Sequence, residues 1–429
     1  MNALLMLAVS FLILLMVGFP IFAAVGLSSV IYLLLDGTAP LVLIPQKIVS
    51  SADNFSMLAL PLFMLMGELM NSGGITKVIL NFAKTVIGHV RGGLLYVTTV
   101  ASMIFASMCG SSAATAASIG GMMIPALRDD GYDDDLIGSV VASGACLGPI
   151  IPPSIILVIY ASISGDSIAK LFLGGAIPGV LMGLLYMLIS ARICKKRGYE
   201  LQAKERAPMK EVMKAFFQAL PSLAIPIISM GGILMGVFTA TEGGAIASAY
   251  ALILSIINRE MTVKKFVTAL FNAAKQSANV MLIMGTGATL GWILTKNQVP
   301  QMLTKMLIGI TSNPILLMFI IIGFILFLGC FLTEATIVPV LAPLLLPVIK
   351  QVGFDPIAFG VILCSISVAG ALTPPVGGML FVTSSVGNIP VMSIAKTVLP
   401  YLGVITFVLL LCSVFPGIVS FLPNLLIKV

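Results

Sequence analysis

Two short runs, Gly148-Pro149-Ile150-Ile151-Pro152-Pro153 and Gly370-Ala371-Leu372-Thr373-Pro374-Pro375, set paired prolines inside otherwise apolar stretches. Proline lacks an N–H and clashes with the turn before it, so a membrane helix passing through either run must break. The carbonyls freed at the break cannot face lipid. Protein, water or a cation must take them, and hard cations such as Na⁺ take oxygen ligands. A single run of this kind reads equally well as a kink in a packed helix. Two of them, each accompanied by a tract of small polar residues, read as cation sites between discontinuous helices.

Those tracts are Gly110-Ser111-Ser112-Ala113-Ala114-Thr115 and the stretch from Gly329 to Thr336. Hydroxyls and backbone carbonyls can ligate Na⁺, and the N-terminus of a resumed helix can hold a carboxylate. Ser112 and Thr115 in the first tract, with Thr333, Glu334 and Thr336 in the second, are the substrate-facing candidates. Ser118 and Ser143 read as packing serines. Three carboxylates fall at membrane depth or its edge: Glu334 at the second tract, Glu242 at an outer turn and Glu68 near the inner end of a span. His89 beside Arg91 and Trp292 near Lys296 read as interfacial residues.

The elements that must hold these groups are membrane helices. With 59% hydrophobic and 9% charged residues and a mean hydropathy of +1.15, the 429-residue chain cannot coat a soluble globule. It is expected to be an all-α polytopic membrane protein of about ten spans at roughly 20 apolar residues each. The excess charge of +7 lies mostly in short loops and reports orientation, with no nucleic-acid partner implied. Six cysteines (Cys109, Cys146, Cys194, Cys330, Cys364, Cys412) without a CxxC pair, and His89 as the single histidine, argue against disulfides and structural zinc. The N-terminal apolar run lacks a basic n-region and reads as a retained membrane segment.

Arg192 to Lys214 carries eight basic residues against Glu200, Glu205 and Glu211, which assigns it to the cytoplasm. Apolar segments near 222 to 237 and 241 to 258 return the chain to a second basic stretch with Arg259, Lys264, Lys265 and Lys275. Walking back from the loop, residues 135 to 160 and 168 to 193 form a span pair with an outer turn at Gly165-Asp166-Ser167, which leaves 92 to 128 as a re-entrant helical hairpin. Gly74 to Arg91 and Val263 to Ala274 are amphipathic and suit helices on the membrane surface.

A shift of 222 residues places Ala113, Pro125, Gly131, Asp133, Gly138, Ser143, Gly148, Pro152 and Pro153 on identical residues, nine identities in the 48 positions from 107 to 154. The order of segments also repeats. Residues 1 to 193 (hairpin about 92 to 128, broken span about 135 to 160) and 218 to 429 (hairpin about 314 to 350, broken span about 356 to 384) form two repeats joined by a basic cytoplasmic linker, 194 to 217. Counting crossings opens the second hairpin to the opposite side from the first. That is an inverted-topology repeat, the architecture of many secondary transporters.

At these residues the sequence resembles the large membrane subunit, DctM-like, of the tripartite ATP-independent periplasmic (TRAP) transporters. The resemblance covers essentially the whole chain and rests on LALPLFMLMGELMNSGGI (58 to 75), GSSAAT, GPIIPPSI, LTEATIVPVLAPLLLPV and ALTPPVGG. It implies a Na⁺-driven elevator in the bacterial inner membrane that imports organic acids delivered by a periplasmic substrate-binding protein. A small four-helix membrane subunit would be supplied by a separate polypeptide. Carried over by motif, one Na⁺ site would use Cys109, Ser111, Gly148, Ile151 and Pro153, and the other Gly329, Gly370, Thr373 and Val376. Cys109 stands where the motif more usually has serine, which a backbone-carbonyl ligand tolerates and a hydroxyl ligand does not.

The resemblance implies Na⁺ as coupling ion and no organic cofactor. Sialic acid and a C4-dicarboxylate both fit, the former preferred. The alternative is a self-sufficient Na⁺/dicarboxylate symporter or anion antiporter. A channel lacks its charged ring or filter repeat. An enzyme is not expected, since no GxSxG elbow or GxxxxGK[ST] motif occurs in the chain.

Overall fold

The computed structural model describes residues 3–90, 92–199, 206–374 and 377–427, and every regular element among them is helical. Arg91, Glu200 and Glu205, named above, lie outside the described residues. The first half runs through α1 (Ala3–Met16), α2 (Ile21–Asp36), α3 (Leu43–Ala52), a 3-10 turn (Phe55–Leu58) leading into α4 (Ala59–Ser72), α5 (Ile75–Ile87), α6 (Gly93–Cys109), α7 (Ser112–Asp129), α8 (Asp134–Ala145), α9 (Ile155–Ser164) and α10 (Ile168–Arg197). The second half contains α11 (Met209–Leu234), α12 (Ala240–Ile257), α13 (Val263–Lys296), α14 (Val299–Ile310), α15 (Pro314–Gly329), α16 (Glu334–Gln351), α17 (Pro356–Gly370), α18 (Gly378–Gly387), α19 (Val391–Val414) and α20 (Gly417–Leu426). Helices α10 and α11 both reach into the stretch 194 to 217.

Among the described residues, seven helices are long and apolar enough to cross a bilayer, or eight if α14 and α15, bent by 117°, count together. This is fewer than the ten spans expected, because Gly, Pro and Ser divide much of the apolar sequence into helices of 10 to 17 residues. The helices of spanning length nonetheless make it a multi-pass membrane protein.

Local chemistry sets the helix ends. Ser111, Ser154, Ser167 and Thr262 cap α7, α9, α10 and α13 by accepting a backbone N–H, each worth about 1 kcal/mol. Thr239 and Glu242 form a reciprocal capping box on α12. The segment 263 to 274, expected as a separate surface helix, is instead the first third of the 34-residue α13. No proline or capping turn interrupts it. In the first half the corresponding join is cut by Asn54, whose side chain accepts from Ser56 N and starts the 3-10 turn.

Helices α4 and α12 lie parallel along a seam of hydroxyls. Thr241, Ser248 and Ser255, seven residues apart, donate to the carbonyls of Phe55 (3.0 Å), Leu62 (2.6 Å) and Leu69 (3.4 Å). Helix α13 packs on α2, α3 and α4 and completes this frame. Helices α6 to α10 and α15 to α20 pack into a second body, whose buried side chains include Tyr160, Tyr186, Phe359 and Tyr401. At its basic end, Arg197 bridges Asp133 (2.9 Å) and Asp135 (2.6 Å), and Arg128 holds Asp134 and the Gly387 carbonyl (2.7 Å).

The helices of this second body recur in order. Ser112 and Glu334, Asp134 and Pro356, Ile155 and Gly378, and Ile168 and Val391 open corresponding helices at separations of 222 to 223 residues.

Candidate functional site

Between α6 and α7 the chain turns in two residues. Gly110 takes φ +59°, and a Cβ there would lie 3.0 Å from the Pro153 carbonyl and 3.1 Å from Ile155 N. The first tip is therefore seated against the break between α8 and α9. Gly148 meets it from the other side, where a Cβ would lie 3.3 Å from the carbonyl of Ser111. Two backbones approach this closely only where side chains are missing.

Within the tip, Thr115 Oγ1 donates to the Ser111 carbonyl (2.8 Å), and Cys109 Sγ lies 3.3 Å from Thr115 Oγ1 and 3.6 Å from the same carbonyl. Across the break, Ser154 Oγ donates to the Pro149 carbonyl and accepts from Leu157 N. Ser154 escaped the sequence reading. Its signal was a serine directly after the double proline, at the natural cap of the resumed helix. Ile151 packs its side chain towards Gly179 of α10, so only its backbone is free to serve a cation.

The second tip repeats the arrangement more tightly. A Cβ on Gly329 would fall 2.4 Å from Gly370 Cα, and one on Gly370 the same distance from Gly329 Cα. Helix α17 ends at Gly370, whose carbonyl accepts from Thr373 N (2.9 Å), while Thr373 Oγ1 donates to the Ala369 carbonyl (3.3 Å). Met379 N donates to the Ala371 carbonyl (3.0 Å) and closes the break. Pro375 and Val376 lie outside the described residues.

Both breaks offer oxygen ligands of the kind a hard cation takes: carbonyls at the ends of α8 and α17 and hydroxyls from Ser111 and Thr373. The exception is Cys109, a soft sulfur already directed at Ser111 and Thr115. It shapes the tip and supplies no hard ligand except its own carbonyl.

The two tips face each other. Ser112, the first residue of α7, donates through Oγ to Glu334 Oε1, on the first residue of α16, at 2.8 Å. Two helix N-termini thus converge where their partial positive charges favour a carboxylate. A cavity of about 390 Å³ opens here, with Ser112, Thr333 and Glu334 on the tip side and Met64, Gln276 and Asn279 on the frame. Of the substrate-facing candidates, Thr115 and Thr336 sit behind the wall. Both are fully buried, and Thr336 Oγ1 pairs with Thr333 Oγ1 at 3.1 Å.

The other carboxylates have structural partners. Glu242 is the capping-box acid of α12, and Glu68 accepts from Gln276 Nε2 (2.8 Å) and Asn272 Nδ2 (3.3 Å). Trp292 packs under Lys296, whose Nζ lies 5.6 Å from the ring centroid and 2.5 Å from Asp36 Oδ2.

Apposed tips, broken helices and a cavity between a frame and a second helical body define a polytopic membrane transporter. Residues 8–418 match the family model of the tripartite ATP-independent periplasmic transporter, DctM component, and the chain belongs to that family. It is 40% identical to the sialic acid TRAP transporter large permease protein SiaM of Vibrio cholerae, over 96% of each chain. To the sialic acid TRAP transporter permease protein SiaT of Haemophilus influenzae it is 37% identical, over 97% of this chain and 67% of that longer one. Its fold is similar to that of the YdaH transporter of Alcanivorax borkumensis, with a TM-score of 0.64, 14% identity and 87% of each chain covered.

Proposed function

We propose that the protein carries out Na⁺-coupled secondary active import of an organic acid, handed over by a periplasmic substrate-binding protein, and works together with a small four-helix membrane subunit. The observation that carries this reading is the double tip-on-break arrangement: Gly110 against Pro153, and Gly329 against Gly370. Each brings helix-end carbonyls and hydroxyls to one point, as a hard cation requires, while the N-termini of α7 and α16 offer the adjoining place for a carboxylate. Cation and anion then bind side by side and strengthen each other.

On this reading residues 1–193 and 218–429 are inverted repeats joined by the cytoplasmic linker 194–217, and the body holding both tips moves as an elevator against the frame of α2, α3, α4, α12 and α13. Sialic acid is the first candidate substrate, supported by the names of SiaM and SiaT. No catalytic residue is assigned, and no nucleotide or organic cofactor takes part.

The test is uptake into proteoliposomes that hold the chain and its small subunit, with loaded binding protein outside. Accumulation should need an inward Na⁺ gradient and ignore ATP. Full accumulation in Na⁺-free vesicles under a proton gradient alone would overturn the reading.

A further inference from the structure

Helix α13 carries three amides on one face, Asn272, Gln276 and Asn279, spaced four and three residues apart. Polar side chains in a membrane helix are costly unless a partner satisfies them. Asn272 Nδ2 and Gln276 Nε2 find one in Glu68 of α4, at 3.3 and 2.8 Å. Gly67, the residue before Glu68, meets the first tip, where a built Cβ would lie 2.7 Å from Cys109 Cβ. The cluster therefore sits where the frame touches the tips.

Helix packing leaves part of this stripe unused. A carboxylate accepts, so Glu68 turns the NH₂ of Gln276 towards itself and leaves Gln276 Oε1 without a partner among the described residues. Asn279 makes no hydrogen bond to any described residue. Both side chains line the tip cavity, across from Ser112 and Thr333. An amide carbonyl accepts from O–H or N–H, and an ionised carboxylate offers neither.

Charge in the cavity leads the same way. No lysine, arginine or histidine among the described residues lines it. One substrate carboxylate can lie at the N-termini of α7 and α16. A second would meet Glu334 on the tip side and Glu68 behind Gln276, with no cation lining the cavity to offset the repulsion.

We propose that the cavity selects a monocarboxylate that carries hydroxyl or amide groups and disfavours dicarboxylates, with the frame reading the uncharged end through Gln276 Oε1 and Asn279. Glu68 is a positioning residue that acts through Gln276. The proposal rests on the import reading above and adds the substrate class and the frame residues that set it.

The experiment measures binding calorimetrically to the chain purified with its small subunit, in NaCl and without binding protein. The probes are N-acetylneuraminate, a hydroxylated monocarboxylate with an acetamido group, and succinate. The native complex should bind N-acetylneuraminate at least tenfold more tightly. Gln276→Leu should weaken that binding at least tenfold while melting at the native temperature. Glu68→Ala should weaken it several-fold, and Glu68→Gln, which keeps an oxygen for Gln276 Nε2, should stay within threefold of native. Asn279→Lys, which adds a cation to the cavity, should raise succinate affinity several-fold.

A native complex that does not prefer N-acetylneuraminate overturns this inference. So does native affinity for it in Gln276→Leu, or unchanged succinate affinity in Asn279→Lys. Binding of N-acetylneuraminate that is indifferent to replacement of Na⁺ by K⁺ overturns the Na⁺-coupled reading instead, and the ratio of the two affinities is read independently of it.

Discussion

Ser112 and Glu334 are 222 residues apart in the chain and 2.8 Å apart in space. The same separation superposes the Gly148 and Gly370 breaks and the Ser111 and Thr333 caps. Cys146 and Val368 form a second such pair, with Sγ 3.8 Å from the carbonyl. The two residues that meet at the tips, a serine and a glutamate, differ in charge.

Glu334→Gln should lower uptake at least tenfold, because it keeps the shape and removes the charge at the junction of two helix N-termini. Ser112→Ala removes one hydrogen bond and should cost roughly 0.5 to 1.5 kcal/mol, a factor of about 2 to 10 in half-saturation. The double variant should be little worse than Glu334→Gln alone, since the two residues share one contact. Fully additive losses would mean that Ser112 acts elsewhere.

Gly370→Val should abolish transport. A Cβ at this position meets the Gly329 backbone at 2.4 Å, and backbone cannot step aside as a flexible side chain would. Ser118→Ala, on the arm of the first hairpin and remote from both breaks, is the control and should leave Na⁺ dependence unchanged. Native-like uptake by a folded Gly370→Val protein would show that the tip and break separate during transport.

Thr373→Val should raise the Na⁺ half-saturation by roughly 10- to 100-fold, the consequence of losing about 1 to 3 kcal/mol at a buried polar site. The hydroxyl donates to the Ala369 carbonyl and keeps its lone pairs for a cation. Titrating uptake against external Na⁺ measures this directly. An unaltered half-saturation in a folded variant would make the second site a backbone site.

The purified chain by itself should fail to concentrate free substrate, and adding the small subunit and loaded binding protein should restore uptake. Reconstitution one component at a time tests this dependence. Concentrative uptake at full rate by the lone chain would point to a self-sufficient symporter.

Much of this architecture was legible in the sequence because it depends on local chemistry. Double proline breaks a helix whatever surrounds it, a glycine-serine tract cannot continue one, and basic loops orient the spans. So the breaks at Gly148 and Gly370 and the tips at Ser111 and Thr333 could be located from paired prolines and small polar tracts. Tertiary structure alone decided how those pieces are used. It fused 263 to 274 into α13, where local amphipathicity suggested a separate helix. It turned Glu242 into a cap, bound Glu68 to Gln276, engaged Cys109 inside its own tip and gave Ser154 the Pro149 carbonyl. It also drew Glu334, the carboxylate the sequence places at the second tip, into contact with Ser112. The sequence encodes where a helix must stop, since that is settled within a few residues. Which freed group then meets which partner depends on contacts between segments about 200 residues apart, and those exist only once the two halves have packed.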